Sequence, residues 1–269
     1  MEVFLCYTFL LKNNIVVMKL IFTFLFSIVS LISLSQTKTI HILVALCDNK
    51  YQGIVPVPEK IGNGQDPKNN LYWGCGYGVK SFFKKQPEWK LIKEYKNVST
   101  FILERVVFKH VSKPIYLVAD AYDGRHIEQT TKDLLSFSSG DQKDTLKIGT
   151  DIIPIQGSSQ LICYTGHDGL MDFTIKESYI KKDNLKREVI ILACYSKSYF
   201  KNYIKQTGAN PLLWSTHLMS PEAYTTHAAI SGWIEKESSE QIRERAAQAY
   251  NKYLKCGIKG ARNLLVTGW

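Results

Sequence analysis

Near-continuous apolar runs recur along the chain, each closed by a short polar or glycine-containing stretch. Ile40 to Leu46 is the first, ending at Cys47-Asp48-Asn49. Runs without polar alternation are what strands buried on both faces of a parallel sheet require. Pro114 to Ala121, Ser159 to Thr165, Val189 to Ala193 and Pro211 to Thr216 repeat the pattern. Helical periodicity follows several of them, at about His126 to Phe137 after the Asp123-Gly124 break and at Lys197 to Gln206 after Cys194. Strand, turn and helix in that order is the unit of a doubly wound α/β sheet.

The remaining segments fill in around that frame. Gln52 to Asn70 is polar and rich in glycine and proline, a long surface loop. Leu71 to Lys85 reads as a helix despite Gly74, Gly76 and Gly78. Strands are expected at Trp89 to Tyr95 and Phe101 to Val107, and a loop or hairpin at Ser138 to Asp151. Ser239 to Cys256 is a long amphipathic helix with Ser238 or Ser239 as N-cap and Gly257 at its end. No internal repeat is visible.

Length and charge narrow this picture. With 269 residues, 45% hydrophobic and 22% charged, the chain can bury the core of one α/β domain, placed at 36–269 behind a leader at 1–35. The leader has Met18-Lys19, an apolar stretch, and small residues at Ser33 and Ser35 ahead of Gln36, the layout of a cleaved secretory signal starting at Met18. Ile15 to Leu34 also approaches the length of a membrane anchor, the alternative reading. Either way the domain is expected outside the cytoplasm: periplasmic, at the cell surface or secreted. The net charge of +10 is scattered, with no basic tract interleaved with aromatics, which argues against nucleic-acid binding. Beyond Gln36 lie Cys47, Cys75, Cys163, Cys194 and Cys256, an odd set that leaves at least one thiol unpaired even in an oxidising compartment.

Two of the apolar runs end on groups that carry chemistry. One is Leu161-Ile162-Cys163-Tyr164-Thr165-Gly166-His167-Asp168-Gly169, the other Val189-Ile190-Ile191-Leu192-Ala193-Cys194-Tyr195-Ser196. Open α/β sheets hold ligands at the carboxyl ends of their strands, so parallel neighbours would bring His167 and Cys194 to one crevice. A thiol attacks as thiolate, and an imidazole supplies both the base and a stabilising cation. A helix starting after Cys194 is expected to lower the thiol pKa further. Cys47 and Cys163, inside strands, read as small buried hydrophobes.

The order His before Cys, with Gly-His-small-Gly after one strand and Ala-Cys after the next, resembles the caspase-like (clan CD) cysteine peptidases. That superfamily includes gingipains, clostripain, legumain and metacaspases, and Tyr164-Thr165-Gly166-His167 is most similar to the gingipain branch. The resemblance covers Ile40 to about Tyr253, with its specific motifs in two short segments. It implies a three-layer α/β sandwich with a mostly parallel central sheet flanked by helices, and a monomeric cysteine endopeptidase acting on peptide or protein substrates without metal or cofactor. His167 and Cys194 would be the catalytic dyad, with the backbone N–H groups of Asp168, Gly169 and Cys194 as the oxyanion hole. Asn49 or Asp48 would orient the histidine. Trp214, Ser215 and Thr216 would form the wall that pairs with substrate backbone, and Asp168 and Asp172 could make the pocket acidic. The sequence departs from the family at Asp168, which stands between His167 and the glycine that normally follows directly. The rival reading is therefore an inactive caspase-like domain serving as an exported binding or assembly module, and a third is a membrane-anchored interaction protein. His217, Glu222 and His227 have no helical i, i+4 pair for zinc, and Asp120-Ala121-Tyr122-Asp123-Gly124 fits either a calcium loop or a strand-ending turn.

Overall fold

The computed structural model describes residues 37–269, so the expected leader lies outside the described residues. Within them the chain is a mixed α/β fold with a large, mostly parallel sheet between two layers. The strands are β1 (Lys38–Ala45), β2 (Trp89–Lys96), β3 (Ile102–His110), β4 (Ile115–Tyr122), β5 (Lys143–Ile148), β6 (Asp151–Gln156), β7 (Leu161–Thr165), β8 (Glu188–Leu192), β9 (Asn210–Ser215) and β10 (Leu265–Val266). The helices are α1 (Val79–Phe83), α2 (Ile127–Ser139), α3 (Ser196–Thr207), α4 (Ala223–Ile234), α5 (Ser239–Leu254) and α6 (Ile258–Leu264). The main sheet runs β10-β9-β8-β7-β1-β4-β3-β2. β9, β8, β7, β1 and β4 are parallel neighbours, while β3, β2 and β10 pair antiparallel at the two edges.

The near-continuous apolar runs have the predicted cause. In β1, Ile40, Ile42 and Val44 face α1, α4, α5 and α6, whereas Leu43 and Ala45 face α2 and α3. The β5–β6 hairpin packs Ile153 and Ile155 on Val107, Tyr116 and Val118, completing that second layer. Helix α5 begins with a full capping box, the Ser238 hydroxyl accepting from the Gln241 N–H and the Gln241 side chain from the Ser238 N–H. Among the described residues no helix is long and apolar enough to cross a membrane.

The expected helix over Leu71 to Lys85 shrinks to the single turn of α1. The glycines that seemed tolerable there are the reason. A Cβ on Gly78 would meet the Trp73 backbone at 2.5 Å, because the chain crosses itself, and Val79 donates to the Tyr72 carbonyl at 2.8 Å to close the crossing. The hairpin also extends past the expected Asp151, with β6 reaching Gln156.

Three neighbouring strands, β1, β4 and β3, are tied together by a buried polar network. Asp120 on β4 accepts from Arg105 Nε at 2.6 Å and Nη2 at 2.7 Å, and from His41 Nε2 at 2.9 Å. The Gln156 N–H donates to His41 Nδ1 at 2.8 Å, which fixes the ring proton on Nε2 facing Asp120. Asp123 is paired with Arg125, so the carboxylates of the possible calcium loop are committed to cations, as in a strand-ending turn.

Candidate active site

Strands β7 and β8 are direct parallel neighbours, with Thr165 opposite Leu192. His167 and Cys194 each lie two residues beyond that pair. The positions are equivalent, so the two side chains emerge at the same level of the sheet's carboxyl edge. Gly166 makes the approach possible: its φ is +149°, and a Cβ there would meet the Ala45 carbonyl oxygen at 2.7 Å. His167 and Cys194 line one cavity of about 260 Å³ together with Gly53, Val57, Tyr72 and Met219. A larger cleft of about 560 Å³ opens at the amino edge of the sheet around Lys38, Glu188 and Trp233, but no thiol or imidazole lines it. Of the two, only the smaller is lined by the thiol and the imidazole.

The histidine is held by a residue the sequence reading assigned elsewhere. His167 Nε2 and Asp172 Oδ2 are 2.7 Å apart, and the same carboxylate oxygen accepts from the Gly53 N–H at 3.0 Å. Asp172 reaches back because Gly169–Met171 forms a single 3-10 turn, capped by Asp168, whose Oδ1 accepts from the Leu170 N–H at 3.0 Å. The residue that interrupts the family motif thus builds the turn that delivers the histidine's partner. Tyr164 adds a second restraint, donating its hydroxyl to the His167 carbonyl at 2.7 Å. Nε2 is the ring nitrogen that Asp172 engages, which fixes the orientation of the imidazole.

Asp48 and Asn49, expected as the orienting residues, are occupied within their own loop. Asp48 accepts from the Lys50 and Tyr51 N–H groups and from Gln65. Asn49 pairs through its side chain with both backbone groups of Val57. Their effect on the site is indirect: they shape the loop that carries Gly53 to Asp172.

The thiol departs from expectation. Burial raises the Cys194 pKa above the usual cysteine value, the Met219 backbone N–H pulls it down and the Asp168 carboxyl raises it again. Helix α3 does not offset the burial, because its first N–H groups are spoken for. Tyr195, at φ +50°, donates to the His217 carbonyl, and the Ser196 N–H donates to Ser215 Oγ at 3.2 Å. The sulfur instead accepts from the Met219 N–H at 3.4 Å and donates to the Met219 carbonyl at 3.6 Å. No hydrogen bond joins it to His167, although both line the same cavity.

Of the expected oxyanion donors, Cys194 is on the cavity wall and Asp168 and Gly169 are not. Gly169 faces the other way, where a Cβ would meet Phe173 at 2.5 Å and Ile127 at 3.3 Å. The wall expected from Trp214, Ser215 and Thr216 is also committed internally. Leu265 and Val266 of β10 pair with Ser215 and Trp214, closing the edge a substrate strand would use. Trp214 Nε1 donates to the Gly268 carbonyl at 3.0 Å, Thr216 Oγ1 to the Asn263 carbonyl at 2.9 Å, and the Ser215 hydroxyl to the Ala193 carbonyl.

Asp168 itself is fully buried, with Oδ2 lacking any partner. Burial lifts its pKa from 3.8 to about 7, with Asp172 adding to the rise. A folded value above the unfolded one means that the native state holds the extra proton. The stability this contributes is complete at low pH and is lost as pH climbs toward about 7. Asp168→Asn keeps the acceptor for Leu170 and removes the titration. Its melting temperature relative to wild type should rise from about pH 5 to about pH 8; a constant difference across that range, followed by differential scanning fluorimetry, contradicts the assignment.

All five cysteines of the described residues are free, and no group of three or more His, Cys, Asp or Glu among those residues could hold a metal ion. His227 is bonded to Glu88 at 2.6 Å instead. No protein-family model, no curated protein and no solved structure matches the chain.

Proposed function

We propose that the chain is an exported cysteine endopeptidase of caspase-like architecture, cutting peptide bonds through a thioester on Cys194. The observation that carries this reading is the placement of His167 and Cys194 two residues past paired positions of adjacent parallel strands, on the wall of one cavity. Cys194 Sγ attacks the scissile carbonyl while its proton passes to His167. His167 returns that proton to the leaving amine, then takes one from the water that hydrolyses the thioester, and the thiol is regenerated. The N–H of Cys194 and that of Met219, which faces the sulfur, are the donors for the oxyanion. The Met18–Gln36 sequence supports export. Incubating the full-length chain with an unfolded protein under reducing conditions, and mapping new termini by mass spectrometry, tests the reading. Cuts lost in His167→Ala are expected; no cuts by wild type contradict it.

Asp172 acts by holding the imidazole. Asp172→Asn should lower kcat by about 10²- to 10⁴-fold with KM nearly unchanged, as expected when an orienting carboxylate is neutralised. A KM effect with kcat preserved would instead place Asp172 in substrate binding.

The half-buried thiol, raised above its ordinary pKa and bonded to Met219, favours a second reading, an inactive assembly module. Under that reading Cys194 alkylates with iodoacetamide no faster than a free cysteine, and His167→Ala does not slow it.

A further inference from the structure

The sequence offers Asp168 and Asp172 as the makings of an acidic specificity pocket, and the structure uses both elsewhere. Asp168 is buried beneath the turn and absent from the cavity wall. Asp172 engages His167 and the Gly53 N–H through one carboxylate oxygen and is likewise not on that wall. Most of the wall that thiol and imidazole share is apolar: Ile54, Val55 and Val57 from the loop after β1, Met171 from the 3-10 turn, and Leu218 and Met219 from the segment after β9. Among the described residues no carboxylate, lysine or arginine lines it. A second observation concerns the mouth. Val55 is 86% exposed, Leu218 66% and Met171 40%, large side chains left in water around one opening. Such an apolar rim is covered when a ligand sits down on it.

We propose that this cavity is the subsite for an apolar side chain next to the cleaved bond, so that the substrate is a peptide presenting leucine, methionine or phenylalanine there. The inference rests on the cysteine peptidase reading. A charged side chain entering this space loses its hydration and meets no partner, whereas an apolar one gains burial against walls and rim. The volume, about 260 Å³, lies below the range of roughly 300–1,000 Å³ typical of sites for drug-sized ligands, which suits one side chain. The apolar walls come from loops flanking the sheet's carboxyl edge, and the closed β9 edge takes no part.

The test uses the full-length chain and peptidyl acyloxymethyl ketones that differ only in the residue beside the warhead: Leu, Phe, Arg or Asp. Covalent labelling of Cys194 is followed by mass spectrometry. The Leu or Phe reagent is expected to label at least about tenfold faster than the Arg and Asp reagents, in line with discrimination in hydrophobic pockets. Leu218→Asp, at an exposed rim position outside the catalytic groups, should shift the Arg-to-Leu rate ratio upward by about tenfold. Fastest labelling by the Arg or Asp reagent, or a ratio unmoved by Leu218→Asp, overturns the apolar subsite while leaving the nucleophile in place. Failure of every reagent to label Cys194 overturns the peptidase reading and the subsite with it.

Discussion

Replacing Cys194 with alanine is expected to lower kcat/KM for peptide hydrolysis by about 10⁴- to 10⁶-fold while leaving the melting temperature within a few degrees of wild type. The size follows from the role: without the nucleophile no thioester forms, and only binding and oxyanion stabilisation remain, as in other nucleophile deletions. The fold should tolerate the change because Cys194 sits in the turn between β8 and α3, outside the main hydrophobic clusters. What is lost structurally is a pair of weak sulfur bonds to the Met219 backbone at 3.4 and 3.6 Å. Initial rates on a fluorogenic peptide, with thermal melts of both proteins, check the two halves together. Activity retained within tenfold would place the nucleophile elsewhere.

Asp120→Ala should destabilise the chain by about 3–5 kcal/mol at neutral pH, the cost of removing one partner from a buried ion pair. Burial by itself pushes the Asp120 carboxyl up, and Arg105 and His41 overcome that to hold it below its ordinary 3.8. A depressed folded value contributes stability that is complete above the unfolded pKa and disappears as pH falls through the folded one. The gap between variant and wild type is therefore wide at neutral pH and narrows in acid below about pH 4. Urea unfolding at several pH values measures it. Alanine leaves Arg105, 5% exposed, without its counter-charge, so replacing Arg105 with methionine in the same chain should recover part of the loss. A loss below about 1 kcal/mol would place the network among pairs that contribute little.

The parallel frame was legible because burial on both faces leaves its trace as near-continuous apolar runs. In β1 alternate residues feed two different core layers, and no polar residue interrupts the run except His41, itself bonded to Asp120. The equivalence of His167 and Cys194 followed from the same signal, since each stands where such a run stops. Helix α4 left no comparable trace: Ala223–Ile234 holds threonines and Gly232 on a helix buried nearly all round, so it shows neither strong propensity nor a polar face. Strand β10, two residues long, carries no period at all, yet it closes the β9 edge and removes Trp214, Ser215 and Thr216 from the expected wall. Asp172 escaped for a geometric reason. Its partnership with His167 depends on a turn five residues long in chain terms, capped by Asp168, and a reading that treated Asp168 as an interruption could not see what it builds. The orienting role predicted for Asn49 failed similarly, because the loop after β1 folds back on itself through Val57.

Cys194, which shares one cavity wall with His167, is the proposed nucleophile. Mapping the adduct of a peptidyl acyloxymethyl ketone on full-length protein, by tryptic digestion and tandem mass spectrometry, tests it most directly. The account predicts a single adduct on Cys194 that forms at least about tenfold more slowly in His167→Ala, the scale on which a general base contributes. An adduct on exposed Cys256 or half-buried Cys75, or a Cys194 adduct indifferent to His167, would contradict it.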